Sequence, residues 1–193
     1  MATKKLKIAF GAFRTEPFTN GHYRIFTEMI RDNDLVIIGL GSAQLSNTPE
    51  NPFSIKQRIN FIRTVFGRGS KDKLKIVPLY DIGATKESDW VDYCMEQIDI
   101  KNLPTPTRYY AGSETDLHWF KNSVNINREP IELINLNRHE TNMLSGTLVR
   151  QSLSMGTDEW KSHVPECIID IIEEEYPIEL TLKYQQRIKE QNE

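Results

Sequence analysis

Thr19-Asn20-Gly21-His22 puts a hydroxyl, a glycine and an imidazole within four residues. It stands between a β-like run ending at Gly11 and the start of a helical pattern, after the loop Gly11-Ala12-Phe13-Arg14-Thr15-Glu16-Pro17-Phe18. In an open parallel sheet, ligands collect at the carboxyl ends of strands, beside helix N-termini that favour phosphate. At such a place Gly21 would let the backbone come close to a ligand, Thr19 would supply a hydroxyl, and His22 a donor able to follow charge developing on a phosphate. The same four residues also suit an ordinary helix start, with Thr19 as cap and His22 packed on the first turn.

A second segment tips the reading towards phosphate chemistry. Leu144-Ser145-Gly146-Thr147-Leu148-Val149-Arg150 follows another β-like run and reads as a helix start, with Ser145 or Thr147 as cap and Arg150 one turn in. Such a start offers unpaired N–H groups, hydroxyls and a guanidinium to a triphosphate. Other features read as structural. His118 and His139 lack metal-ligand spacing, and His163 stands at a helix boundary. Gly39-x-Gly41 lacks the third glycine of a dinucleotide fingerprint, and there is no P-loop lysine motif. Cys94 and Cys167 are too far apart for a redox pair and read as small core residues.

These segments need a scaffold, and the pattern is one of short apolar runs alternating with helical spacing. Strands are expected at Leu6–Phe10, Leu35–Leu40, Leu74–Leu79, Arg108–Ala111 and Ile131–Leu136. The second is apolar on both faces, as a central strand must be. Ile55, Ile59, Ile62 and Phe66 make a helical stripe opened by a capping box of Ser54 and Gln57. Trp90, Val91, Cys94, Met95 and Ile98 make another after Ser88, and Ile168, Ile169, Ile171 and Ile172 a third after Pro165. Lys183–Glu193 reads as a frayed terminal helix. The expected fold is α/β: one domain over 1–193, with a doubly wound, parallel, five-stranded Rossmann-like sheet and a small helical tail from about residue 145.

The chain has 193 residues, 24 basic and 27 acidic, for a formal charge of -3. That balance gives no general footprint for nucleic acid, so a polyanionic ligand would need a local basic pocket. The basic N-terminus leads into too short an apolar run for a signal peptide, and no run suggests a membrane span. A cytoplasmic protein is expected.

Together, the two segments resemble the nucleotidylyltransferase superfamily, with its [H/T]-x-G-H and I-S-x-x-x-x-[R/K] signatures. Gly39-Leu40-Gly41-Ser42-Ala43-Gln44, then Asn51-Pro52-Phe53-Ser54 and Gln57-Arg58, are similar to a stretch of the archaeal-type nicotinamide-nucleotide adenylyltransferases. Tyr110-Ala111-Gly112-Ser113, Asp81-Ile82, Trp90-Val91, Ser145-Gly146-Thr147 with Arg150, and Trp160 through Val164-Pro165 continue that likeness in order. Thr19 departs from it, standing where the family has a histidine; Thr-Asn-Gly-His itself resembles phosphopantetheine adenylyltransferase. Ala12 occupies the place of a family arginine, which leaves Arg14 to replace it, and Glu50 appears where some members are basic.

The resemblance implies that ATP and nicotinamide mononucleotide give NAD and pyrophosphate by direct in-line attack, with Mg2+ arriving on ATP. It implies His22 and Arg150 as catalytic groups. Gly11, Phe13, Thr19, Gly112, Ser145 and Thr147 would join them in binding ATP, while Arg14, Ser42, Asp81 and Trp90 would bind the mononucleotide. From its own stripe alone, Trp90 reads as a core residue of its helix, and the resemblance reverses that reading. The resemblance also implies a homo-oligomer. Two alternatives stay open: the same chemistry on phosphopantetheine or nicotinate mononucleotide, and a non-catalytic nucleotide-sensing module.

Overall fold

The computed structural model describes residues 5–70, 72–84, 86–112, 114–121, 130–136 and 146–191. Five strands, β1 (Ile8–Phe13), β2 (Leu35–Leu40), β3 (Leu74–Pro78), β4 (Arg108–Ala111) and β5 (Glu132–Asn135), form one parallel sheet in the order β3-β2-β1-β4-β5. The order reverses beside β1, which makes the β1/β4 boundary the topological switch point. β1 pairs with β2 along its full length, from Ile8 with Leu35 to Phe13 with Leu40. Its pairing with β4 covers only Ala9 with Arg108 and Phe10 with Tyr109.

The helices are α1 (Asn20–Asp32), α2 (Ile55–Phe66), α3 (Glu87–Ile100), α4 (Glu114–His118), α5 (Gly146–Met155), α6 (Ile169–Glu175) and α7 (Ile178–Gln191). Five of the six residues of β2 are buried, as a central strand requires. The capping box of α2 is present: Ser54 accepts from the Gln57 backbone while the Gln57 side chain accepts from the Ser54 N–H. No helix among the described residues is long and apolar enough to cross a membrane.

The chain groups into two compact units. The first comprises Met1–Phe13, Ile25–Ala43 and Gly69–Asn142 and contains the sheet. Its core joins Phe10, Ile37, Val77 and Leu79 to Val91, Cys94 and Ile98 of α3 and to a stack of Tyr109 on Phe120, ring centres 3.8 Å apart. The second comprises Arg14–Arg24, Gln44–Arg68 and Met143–Glu193. Phe53 packs edge-on against Phe61 and Tyr176 there, and Val149, Leu153, Trp160, Ile168 and Ile172 are buried.

Several sequence expectations need correction. β1 runs on to Phe13 instead of ending at Phe10 or Gly11, because its ladder with β2 continues to Leu40. Ser88 lies inside α3, whose cap position is Lys86 with no side-chain cap bond. Cys167 is exposed, so only Cys94 is a core cysteine. α4 was not expected; at five residues it is too short for a periodic signal. The terminal helix is longer than its polar tract suggests, beginning at Ile178, where Leu180 and Thr181 are buried.

Candidate active site

Thr19 is the cap of α1, and His22 stands three residues on. The His22 backbone N–H reaches Thr19 Oγ1 at 3.4 Å, while His22 Nδ1 accepts from the Thr19 N–H at 3.1 Å. This is the reciprocal pattern of a capping box, with histidine in the place usually taken by Glu or Gln. Nδ1 also lies 2.9 Å from Thr19 Oγ1. A backbone N–H can only donate, so Nδ1 accepts and the proton of the neutral ring is on Nε2. Capping and chemistry are therefore not competing readings of Thr-Asn-Gly-His. The cap fixes the tautomer and aim of the imidazole at a helix N-terminus, where anions are favoured. The Phe18 ring packs against His22 at 5.7 Å, and Asn20 Nδ2 donates to the Ser162 carbonyl.

The loop before this cap is tightly held. Arg14 is exposed, and its guanidinium donates to Asn51 Oδ1 at 2.7 Å and to the Glu50 carbonyl at 3.2 Å. Glu16 is buried, with Oε1 2.8 Å from Nε of the fully buried Arg58, an ion pair without hydrogen-bond alignment. Its Oε2 accepts from the Phe53 N–H, and Arg58 donates to the Arg14 carbonyl at 2.8 Å. Arg150 on α5 donates to the Glu16 carbonyl at 2.7 Å and to Thr147 Oγ1 at 3.1 Å. Gly146 is required here, because a Cβ would sit 2.9 Å from the Glu16 carbonyl oxygen.

The electrostatics follow from burial among cations. Desolvation pushes the Glu16 carboxyl up to about 7, against the pull of Arg58, the Phe53 N–H, Arg14 and Arg150. Desolvation, then the neighbouring Arg14 charge, lowers Arg150 from the ordinary guanidinium value, with Glu16 and Glu50 acting the other way. Arg14 and Arg150 thus repel each other, and an anion would relieve that repulsion.

In the first unit, Phe13 ends β1 and packs edge-on against Phe26, and its carbonyl accepts from the Gly41 N–H. Gly11 permits a close approach: a Cβ there would meet the Phe13 ring at 2.6 Å and the Tyr110 carbonyl at 3.0 Å. Gly112 is buried just past β4. Ser42 and Asp81, beyond the carboxyl ends of β2 and β3, are brought together, Ser42 Oγ donating to Asp81 Oδ1 at 3.2 Å. Ser42 has φ 51, and Asp81 is exposed. Trp90 is half-buried on α3 and packs against Tyr93, whose hydroxyl accepts from the Tyr80 N–H at 2.8 Å and so ties the Asp81 loop to that helix.

Among the sequence candidates, Ser145 lies outside the described residues, as do Ser113 and His139. Thr147 is inside the first turn of α5, not its cap. His118 is exposed, and His163 ends a 3-10 turn. Sequence reasoning missed Glu16 and Arg58. The signal was an arginine among Ile55, Ile59 and Ile62, a charge on the apolar stripe of a helix, which is costly unless paired.

The cytidylyltransferase-like family model matches residues 8–152. A nicotinamide-nucleotide adenylyltransferase of Methanolobus tindarius is 30% identical over 170 residues, covering 88% of this chain and 89% of that protein. One of Thermoplasma volcanium is 31% identical over 179 residues, covering 90% of each. Among solved structures, a bifunctional NMN adenylyltransferase/ADP ribose pyrophosphatase from Francisella tularensis has a TM-score of 0.71 at 18% identity, over 97% of this chain. This chain spans only 56% of that one. Plasmodium falciparum nicotinic acid mononucleotide adenylyltransferase complexed with NaAD has a TM-score of 0.57 at 16% identity, over 90% of this chain and 100% of that one. At such identities the structures speak for the Rossmann-like fold, and the relatives matched along their length speak for the family. The chain belongs to the cytidylyltransferase-like family, among the nicotinamide-nucleotide adenylyltransferases.

Proposed function

We propose that this chain transfers the adenylyl group of ATP to nicotinamide mononucleotide, giving NAD and pyrophosphate. A phosphate oxygen of the mononucleotide attacks the α-phosphorus, the bond to the bridging oxygen of the β-phosphate breaks, and pyrophosphate leaves with that electron pair. Such a transfer needs positioning and charge neutralisation more than a protein nucleophile. The observation that carries the reading is the reciprocal Thr19–His22 cap, which holds an Nε2–H donor at a helix start that favours phosphate. The archaeal relatives, matched over most of their length, support the acceptor.

His22 meets the α- and β-phosphates and donates to charge moving onto the leaving group. Arg150 holds the outer phosphates, with Thr19, Ser145 and Thr147 on ATP oxygens and Gly11, Phe13 and Gly112 shaping the adenosine pocket. Arg14 takes the phosphate of the mononucleotide in place of the arginine missing at Ala12. Ser42 and Asp81 line its pocket, and Trp90 stacks on the cationic nicotinamide ring.

Among the described residues no group of three or more His, Cys, Asp or Glu side chains could hold a metal ion. Mg2+ would arrive on ATP, held by phosphate oxygens and water, and would neutralise phosphate charge. The reaction is assigned to the cytoplasm, and family resemblance supports a homo-oligomer.

Thr19 favours a second reading, with phosphopantetheine as acceptor. Incubation of the chain with ATP, Mg2+ and each acceptor in turn, with product and pyrophosphate quantified, separates the two. NAD formed from nicotinamide mononucleotide in equal amount to pyrophosphate is expected. Turnover of phosphopantetheine or nicotinate mononucleotide alone would replace that acceptor, and binding without pyrophosphate release would make the chain a sensor.

A further inference from the structure

Glu16 and Arg58 sit beneath the cations that the proposed reaction uses, and neither is expected to touch a substrate. Both are almost wholly buried, so they cannot be there for solubility. A buried ion pair is a poor source of stability, because the desolvation of both charges offsets their attraction. What this pair has instead is an unusual set of second contacts. Arg58 donates to the Arg14 carbonyl, and Glu16 accepts from the Phe53 N–H, so α2 and the residue before its cap grip the loop on both sides of Thr15. The same Glu16 offers its carbonyl to Arg150, and α5 comes so close to that oxygen that only glycine fits at position 146.

Thr15, between the two gripped residues, has φ 47, a region costly for a β-branched side chain. Its hydroxyl is buried without a hydrogen-bond partner. A residue so placed persists only where its neighbours over-determine it. The loop is therefore held against its local preference, and what it presents is one carbonyl to Arg150 and one guanidinium, that of Arg14.

We propose that Glu16 and Arg58 are positioning residues: joined to each other, they lock the Arg14–Glu16 loop so that its carbonyl aims the Arg150 guanidinium at the outer phosphates of the nucleotide. This rests on the reading of Arg150 as a phosphate ligand. Loss of the pair would let Arg150 turn away without removing it, so the harm should pass through Arg150.

A double-mutant cycle in the full chain tests this, with inorganic pyrophosphate as probe and calorimetry as readout. Glu16→Gln keeps the shape and removes the charge; it should weaken pyrophosphate about tenfold in the wild-type background and less than about twofold in Arg150→Ala. Arg58→Lys, which keeps the charge but shortens the reach to the Arg14 carbonyl, should show the same dependence on Arg150. Thermal unfolding of each variant confirms a folded protein. Equal losses in both backgrounds, or no loss in either, would overturn the inference, as would wild-type binding that ignores Arg150. The acceptor reading stands or falls separately, on whether NAD forms.

Discussion

Two regions carry the proposed substrates, and they are built differently. Around Arg14–His22, charged side chains are buried or tethered: Arg58 and Glu16 are paired, Arg14 and Arg150 each donate to a carbonyl, and His22 is fixed through Nδ1. Around Ser42 and Asp81, a side-chain hydrogen bond of 3.2 Å joins a buried serine to an exposed aspartate, the Tyr93 hydroxyl holds the Tyr80 N–H, and the nearby Trp90 is half-buried. Phosphate charge must be met by donors already in place, since reorganising dipoles during the reaction costs the stabilisation they would give. A flat cationic base needs mainly a ring to lie against and a carboxylate nearby. The first region is preorganised, and the second is adaptable.

The largest expected effect separates the two. Arg58→Met leaves the Glu16 carboxyl buried without its partner and should cost about 3–5 kcal/mol in urea unfolding. Asp81→Asn, on the exposed side of the other region, should cost less than about 0.5 kcal/mol. Equal costs would mean that the two regions are equally rigid.

The pH dependence of stability comes next. The Glu16 carboxyl is raised from 4.5 to about 7, so the folded chain binds the extra proton across that window and the unfolded chain does not. Its contribution is complete below pH 4.5 and lost as pH rises through about 7, a difference on the order of 3 kcal/mol. Unfolding of wild type and Glu16→Gln between pH 4 and 8 should differ by this falling term. A parallel pair of curves would show that the carboxyl is not raised.

Much of the frame of these regions was legible. β2 and β4 have the bounds their apolar runs imply, and the Ser54–Gln57 capping box stands as its spacing requires, because both signals are local. The placement of Thr19 and His22 at the head of α1 was also readable. Their reciprocal bond was not, since a histidine at the third helical position is not a usual capping partner. Glu16 and Arg58 are 42 residues apart in number and meet only through tertiary packing, so the stripe of α2 could show that Arg58 needs a partner but not that the partner is Glu16.

Smaller effects concern substrate and strain. Trp90→Ala should raise KM for the mononucleotide about tenfold, the worth of a lost cation–aromatic contact, and leave KM for ATP unchanged. Steady-state kinetics with each substrate varied would reveal an effect on ATP instead, which would make Trp90 a core residue. Thr15 and Ser42 both have positive φ, at 47 and 51, but only Ser42 uses its hydroxyl, on Asp81. Thr15→Gly should therefore gain about 1 kcal/mol in thermal unfolding, and Ser42→Gly should gain less.

The capped imidazole is where the chemistry is assigned, and His22→Ala addresses it directly. Single-turnover formation of NAD from saturating ATP and nicotinamide mononucleotide should fall by about 10²–10³ in the variant, while its affinity for ATP changes by less than about threefold. Turnover within twofold of wild type, or a loss explained by weaker ATP binding, would remove His22 from the transition state.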